Sequence, residues 1–119
     1  MDIKELEKIL TEHPYLPKPK YVYMVEERVV QNIDHLTLVY KGATPKEERD
    51  RIALTPDADD VTVVHELLHL AGFDEAGAYL LAPRLRKIRK IIPPILSFEV
   101  HYREVDSPHP KVKVFERVK

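Results

Sequence analysis

Cysteine is absent from this chain of 119 residues, and several other residue types are scarce. Without cysteine there is no disulfide framework, no thiolate zinc site and no cysteine nucleophile, so a metal site has to use nitrogen and oxygen ligands. Glycine occurs three times, and asparagine and glutamine occur once each, as Asn32 and Gln31. Since Lys, Arg and Glu are abundant, this composition is typical of proteins from thermophiles.

The chain also lacks a long apolar run and a marked net charge. No run approaches the roughly 20 residues that a membrane-spanning helix needs, and the N-terminal segment is charged from Asp2 onward, which predicts no secretory signal peptide. The 19 basic and 20 acidic residues nearly cancel, so the net charge indicates no particular partner. We therefore expect a single-domain cytoplasmic protein with no membrane partner.

The most informative stretch is residues 61–79, which contains the sequence His65-Glu66-Leu67-Leu68-His69. This H-E-x-x-H pattern places two imidazoles one turn apart on the same face of a helix, where both can bind one metal ion. Glu66 lies about 100° round the helix from His65, beside the ion, where it can take a proton from a water that the metal activates. The pattern also arises by chance, but its apolar flanks predict a buried helix, in which these polar groups need a partner.

Glu75 is the best candidate for a third ligand, since a catalytic zinc usually takes three ligands from the protein. Gly72 is suited to end the helix in a left-handed conformation and to reverse the chain, and Asp74 is suited to cap a second helix. Glu75 then falls in the first turn of that helix, six residues after His69, where it can reach the ion. The alternative is an ordinary first-turn glutamate that the helix dipole favours.

Periodicity predicts further elements on both sides of this site. Asp2 is expected to cap a first helix that runs to about Glu12. Strands are expected over residues 21–30, 35–41, 51–54 and 97–105, with a hairpin between the first two, and a helical turn over residues 45–50. The second helix of the site is expected to be interrupted at Pro83 and to continue over residues 84–92.

The segment 83–92 is strongly basic. It contains five cations within seven residues and four apolar residues at helical spacing: Arg84, Arg86, Lys87, Arg89 and Lys90, and Leu85, Ile88, Ile91 and Ile92. A nucleic-acid site is one interpretation of the cations. The apolar residues instead predict a buried stripe that leaves the cations on a solvated face, so we do not expect nucleic acid to bind.

His65, Glu66, His69 and Glu75, with Ala78 three residues further on, resemble the motifs of the gluzincin metallopeptidases. The short chain and the brief link between the two helices are most similar to the minigluzincins, small archaeal enzymes of the proabylysin type. The specific match covers about residues 52–83. The resemblance implies a small α+β zincin domain, in which an about three-stranded mixed sheet packs on an N-terminal backing helix, an active-site helix and a glutamate helix.

The resemblance also implies an activity, a cofactor and further site residues. The chain would be a peptidase with one zinc ion per chain, acting on a peptide or protein through Glu66 as general base. The candidate substrate-binding edge is the strand Arg51, Ile52, Ala53 and Leu54, and the candidate donors to the oxyanion are Tyr79, His101 and Tyr102. The sequence does not determine the oligomeric state.

Minigluzincins also resemble zymogens in which the C-terminal segment of the chain fills the active-site cleft. Residues 106–119 are expected to form an arm beyond a catalytic domain of residues 1–105, and the arm could inhibit the enzyme by adding as a strand to the edge at Arg51–Leu54. The alternative for this segment is a surface strand that completes the sheet, or a frayed end.

Two other functions fit parts of the pattern. His69, Gly72 and Glu75 also resemble the extended H-x-x-x-H-x-x-G-x-x-H site of metzincins and of single-zinc endoribonucleases. Both groups use His where this chain has Glu75, the ribonucleases lack a Glu after the first His, and metzincins require a downstream Met that this chain lacks. The third interpretation is a zincin scaffold that binds a partner without turnover.

Overall fold

The computed structural model describes residues 1–25, 50–94, 99–107 and 110–118, together with the backbone of residues 32–33, 36–37 and 42–43. In these parts of the chain the fold is α+β, with three helices and seven strands. The helices are α1 (Ile3–Glu12), α2 (Asp60–Leu70) and α3 (Glu75–Ile91). The strands are β1 (Tyr21–Val25), β2 (Asn32–Ile33), β3 (Leu36–Thr37), β4 (Gly42–Ala43), β5 (Arg51–Leu54), β6 (Tyr102–Val105) and β7 (Val112–Arg117).

Five of the strands that the structure describes form one mixed sheet in the order β4-β5-β1-β7-β6, while β2 and β3 pair as a separate hairpin. β1 runs parallel to β5 and antiparallel to β7, and the two outer pairs, β4 with β5 and β6 with β7, are antiparallel.

The expected sheet of about three strands is therefore wrong in its strand number. The expected hairpin partner of β1 is also wrong, since β1 pairs with β5 and β7. The expected helical turn at 45–50 lies almost wholly outside the described residues, as do parts of three expected strands.

The C-terminal segment differs from the arm that the sequence suggests. β7 lies between β1 and β6, with Val114 opposite Tyr23 and Phe115 opposite Val22. The expected pairing of this segment with Arg51–Leu54 is not found. The physical reason is that Val112, Val114 and Phe115 are apolar side chains that the sheet buries, and an arm would leave much of that surface in water.

The helices share one face of the sheet. The side chains of β1 alternate, with Val22 and Met24 facing the main core and Tyr23 and Val25 facing a second cluster on the other side. The main core takes residues from every helix: Leu6, Ile9 and Leu10 from α1, Val63, Val64, Leu67 and Leu68 from α2, and Ala78 and Ala82 from α3. Among the described residues, no helix is long and apolar enough to cross a membrane.

The boundaries of the helices follow their capping residues. Asp2 caps α1 as predicted, with its carboxylate accepting a hydrogen bond from the Glu5 amide at 2.8 Å. Asp59 does the same for α2, accepting from the Thr62 amide at 2.9 Å. The expected interruption at Pro83 is not found, because α3 is continuous over 17 residues with Pro83 inside it.

The inward face of α3 also differs from the expected one. The expected buried stripe is wrong, since Ile88, Ile91 and Ile92 are 48%, 71% and 59% exposed, whereas Arg86 is buried. The reason is that Ala78 and Ala82 are the fully buried residues of α3, and Arg86 is the next residue in that i, i+4 row. Its guanidinium donates to Asp60 at the start of α2 at 3.1 Å and to Glu12 at the end of α1 at 2.7 Å, which joins all three helices.

Candidate metal centre

The end of α2 determines where the second histidine lies. Gly72 has a φ of 103°, a left-handed conformation that glycine adopts without steric cost. The Gly72 amide donates to the His69 carbonyl and the Phe73 amide to the Leu68 carbonyl, both at 3.0 Å, which is the two-bond ending that a glycine cap allows. The predicted role of Gly72 is confirmed, and the chain turns back directly after the H-E-x-x-H segment.

The helix α3 starts three residues after Gly72. The Asp74 carboxylate accepts a hydrogen bond from the Gly77 amide at 2.8 Å, so the predicted cap is confirmed, and Glu75 is the first residue of the helix. Gly77 has a steric role here, because a Cβ atom at this position would lie 3.2 Å from both Asp74 Oδ1 and Phe73 Cδ1. Because α3 begins directly after the turn at Gly72, the Glu75 carboxylate lies against the two histidines.

The three predicted ligands converge on one point. Glu75 Oε1 lies 2.9 Å from His65 Nε2, and Glu75 Oε2 lies 2.9 Å from His69 Nε2. The two Nε2 atoms are 3.2 Å apart. In a tetrahedral zinc site with bonds of about 2.0–2.1 Å, neighbouring ligand atoms are about 3.3 Å apart. The two imidazole nitrogens and the two oxygens of the Glu75 carboxylate are therefore close enough together to surround one ion.

A backbone carbonyl fixes the state of the second imidazole. His69 Nδ1 lies 2.9 Å from the Phe73 carbonyl oxygen, and because a carbonyl can only accept a hydrogen bond, Nδ1 carries the proton. In the neutral ring the lone pair is then on Nε2, which faces His65 and Glu75. A carboxylate and a nitrogen lone pair at 2.9 Å repel each other unless a proton or a metal ion is bound to one of them. If a metal ion is bound, the Phe73 carbonyl is the outer partner that orients its histidine ligand.

The environment of the site favours the metal-binding state of its residues. Burial lowers the pKa of His65, and the nearby Glu75 carboxylate partly offsets this, which favours the neutral form of the ring that binds metal ions. Glu66 is 4% exposed, and His65, Glu66 and His69 each offer a ligand atom within 4.8 Å of the others. This group could hold a metal ion. The Glu75 side chain is 76% exposed, so the centre opens to solvent on that side.

The four residues predicted as a substrate-binding edge do not form the edge of the sheet. Ala53 and Leu54 of β5 pair with β4 on one side, and all four residues pair with β1 on the other. Ile52, Ala53 and Leu54 are buried, and Arg51 donates to the Tyr23 hydroxyl at 2.8 Å. Among the strands that the structure describes, the outermost on this side is β4, which contacts α2.

The structure separates the three candidate donors to the oxyanion. Tyr79 lies on α3 one turn after Glu75 and is 76% exposed. Tyr102 is in β6, three strands from β5 and so about 14 Å away across the sheet. Its hydroxyl donates to the Pro19 carbonyl, and burial raises its pKa. His101 lies 3.8 Å from Glu7 of α1. Of the three candidates, Tyr79 is the one on the same helix as the predicted ligand Glu75.

Two groups that matter in the structure are not among the predicted residues. The Phe73 carbonyl is a backbone group, which side-chain patterns do not reveal, although the predicted turn at Gly72 indicates that some carbonyl comes back toward His69. The sequence does not distinguish Arg86 from the neighbouring cations of the basic segment. Its burial depends on the carboxylates of Glu12 and Asp60, which are distant in sequence.

Comparison of the chain with protein-family models, with curated proteins and with solved structures gave no match. The assignment of a function therefore rests on the geometry and the donor atoms of the site itself.

Proposed function

We propose that this protein is a zinc-dependent metallopeptidase with His65, His69 and Glu75 as metal ligands and Glu66 as general base. The observation that supports it is the convergence of the three side chains: the two Nε2 atoms are 3.2 Å apart, and each lies 2.9 Å from a different carboxylate oxygen of Glu75. Two imidazole nitrogens and one carboxylate suit zinc, and three protein ligands leave a fourth position open, as hydrolytic zinc sites do.

Each residue then has a distinct task. A bound zinc ion would supply Lewis-acid activation of water and of the substrate carbonyl. Glu66 accepts the proton of the attacking water on its carboxylate and donates it to the leaving amine. Its burial matters because a water-poor environment strengthens its interaction with the transferred proton. The Phe73 carbonyl keeps the lone pair of His69 directed at the metal.

We infer the position of a substrate from the edge of the sheet and from α3. An extended peptide can add as a strand to the edge of a sheet, and in this fold the outermost strand beside α2 is β4. The substrate-binding edge of the proposed enzyme is therefore β4 rather than Arg51–Leu54. Tyr79 is the proposed donor to the oxyanion, since it lies on the exposed side of α3 near Glu75.

The test uses the substitution Glu66→Gln, with Glu5→Gln as its control. The amide keeps the shape of the side chain but cannot accept a proton, so the variant should retain one zinc ion per chain while cleavage falls by about 10²- to 10⁴-fold. Glu5 lies on the exposed face of α1, so its replacement should change neither property. Metal content is measured by elemental analysis, and turnover is measured with an unfolded protein and with a structured RNA.

Each result separates the candidate functions. Cleavage of the unfolded protein that depends on Glu66 supports the peptidase. Cleavage of the RNA alone would replace the peptidase by an endoribonuclease-like or metzincin-like hydrolase. Stoichiometric zinc without cleavage of either substrate would indicate a zincin scaffold that binds without turnover, and a protein that binds no zinc would overturn the proposal.

A further inference from the structure

The outward side of α3 carries apolar side chains in water. Leu80, Ile88 and Ile91 are 55%, 48% and 71% exposed. At about 100° per residue, they share an arc of about 100° with Arg84 and Lys87, on the side of α3 opposite to Ala78 and Ala82. These five residues are the outer α3 face. Ile92, which is 59% exposed, follows directly after the helix.

The charge of this face is positive, and no carboxylate in the described part of the chain neutralises it. The sequence has no acidic residue between Glu75 and Glu99. The carboxylates of Asp60 and Glu12 are bound to Arg86, which lies inside. The guanidinium of Arg84 donates to the Leu80 carbonyl of its own helix at 3.1 Å. Among the residues that the structure describes, no carboxylate lies within ion-pair distance of Arg84 or Lys87.

Exposed apolar side chains, together with cations that have no carboxylate partner among the described residues, favour some partners over others. A second copy of this face would bring like charges together, which opposes self-association. A nucleic-acid backbone would satisfy the cations but would leave Leu80, Ile88 and Ile91 without an apolar environment. An acidic amphipathic peptide needs a groove, whereas α3 packs chiefly on α2 and presents its outer face as a convex ridge.

We propose that the outer α3 face binds an anionic membrane surface, with α3 lying in the plane of the interface. Apolar side chains of an interfacial helix enter the boundary between headgroups and acyl chains. The long side chains of Arg84 and Lys87 on the same arc can lie along this apolar surface with their charges at the anionic headgroups. The sequence gives no reason to expect a membrane partner because it has no spanning segment, but a surface-bound helix does not need one. The proposal does not depend on the metal centre, because none of the three metal ligands belongs to this face.

Vesicle co-sedimentation of the full chain tests this proposal. The probes are vesicles of phosphatidylcholine alone and vesicles in which about a third of the lipid is phosphatidylserine. Each cation near such a surface contributes about fivefold in affinity, so Arg84→Gln with Lys87→Gln should weaken binding to the anionic vesicles by about 25-fold. The control Lys4→Gln with Lys8→Gln removes the same charge from the exposed side of α1 and should change binding by less than about threefold.

A second pair of substitutions tests the apolar part. Leu80→Ser with Ile91→Ser should weaken binding at least about tenfold through lost apolar burial, and because both residues are exposed, the unfolding midpoint should not fall. The proposal is overturned if the wild-type protein does not bind anionic vesicles, or if the serine pair binds them as well as the wild type. It is also overturned if a DNA duplex binds more tightly than the vesicles, or if the chain forms a dimer that the serine pair disrupts.

Discussion

His69 Nδ1 lies 2.9 Å from the carbonyl oxygen of Phe73, and this contact connects the end of α2 to the chemistry of the centre. The carbonyl is in place because Gly72 turns the chain, and the same turn brings Glu75 to the Nε2 atoms of both histidines. One left-handed residue therefore determines both the tautomer of one proposed ligand and the position of another.

Replacing Gly72 should affect folding and metal affinity together. An alanine in the left-handed region costs about 1–2 kcal/mol, and a displaced Phe73 carbonyl should weaken zinc binding by about 10- to 100-fold, as the loss of an outer partner of a ligating histidine does. Gly72→Asn is the matched control, since asparagine tolerates this conformation far better. Unfolding in urea and a zinc competition titration measure the two effects. A Gly72→Ala protein with unchanged zinc affinity would contradict the role given to the carbonyl.

Glu75 should matter as a ligand rather than as a helix-capping charge. Glu75→Ala should reduce zinc affinity by more than about 100-fold, because the ion loses one of three protein ligands. Glu5 is also an acidic residue in the first turn of a helix, so Glu5→Ala shows what the loss of a favourable dipole interaction does on its own, about 0.3–1 kcal/mol of stability. Equal effects of the two substitutions on zinc binding would leave Glu75 as an ordinary first-turn glutamate.

The local signals in the sequence predict the site well. Asp2, Gly72 and Asp74 define helix ends through their own backbone contacts, and such contacts depend on only a few neighbouring residues. The i, i+4 spacing of His65 and His69 depends only on helix geometry. The convergence of Glu75 on these histidines follows from a turn that is itself local.

The longer-range features were not predictable in the same way. The position of β7 between β1 and β6 depends on pairings across about 90 residues of chain, and an alternating segment such as Val112–Arg117 fits an edge or an interior strand equally well. The prediction for the inward face of α3 is wrong because it places the larger apolar residues of the helix inside. Alanines and a paired Arg86 lie there instead, since the partners of Arg86 are on other helices.

His13 should make stability depend on pH between about 4 and 6.5. Burial, and next to it the positive charge of Arg86, lowers the pKa of His13 to about 4, and Arg86 Nη1 lies 3.2 Å from His13 Nε2. In this window the unfolded chain binds more protons than the folded chain, so the free energy of unfolding rises with pH by up to about 1.4 kcal/mol per unit. The contribution is complete above pH 6.5 and is lost as the pH falls through 4.

The replacement His13→Gln isolates this contribution. The amide oxygen of glutamine can accept from Arg86 but does not titrate, so urea unfolding between pH 4 and 7 should show a smaller slope than in the wild type, by up to one proton. The carboxylates of Glu12 and Asp60 are present in both proteins and cancel in the difference. Parallel profiles for the two proteins would show that His13 is not buried beside Arg86 as described.

Deleting residues 106–119 should unfold the protein rather than activate it. β7 supplies five residue pairs to β1, and its buried residues are Val112, Val114 and Phe115. Losing buried apolar side chains costs roughly 2–5 kcal/mol for each large one, so the total is comparable with the 5–15 kcal/mol that stabilises a typical domain. We therefore expect no cooperative unfolding transition after truncation at Val105, as measured by circular dichroism during heating.

A chain that ends at Arg117 is the control for this truncation, because it keeps β7 and removes only the two residues after it. It should unfold cooperatively and should bind zinc as the full chain does. Inhibition by the C-terminal segment predicts the opposite pattern, in which truncation at Val105 leaves a folded protein that cleaves peptides faster than the full chain. That outcome would require the sheet to hold together without its fourth strand, with β6 separated from β1, which the pairing of β7 with both strands opposes.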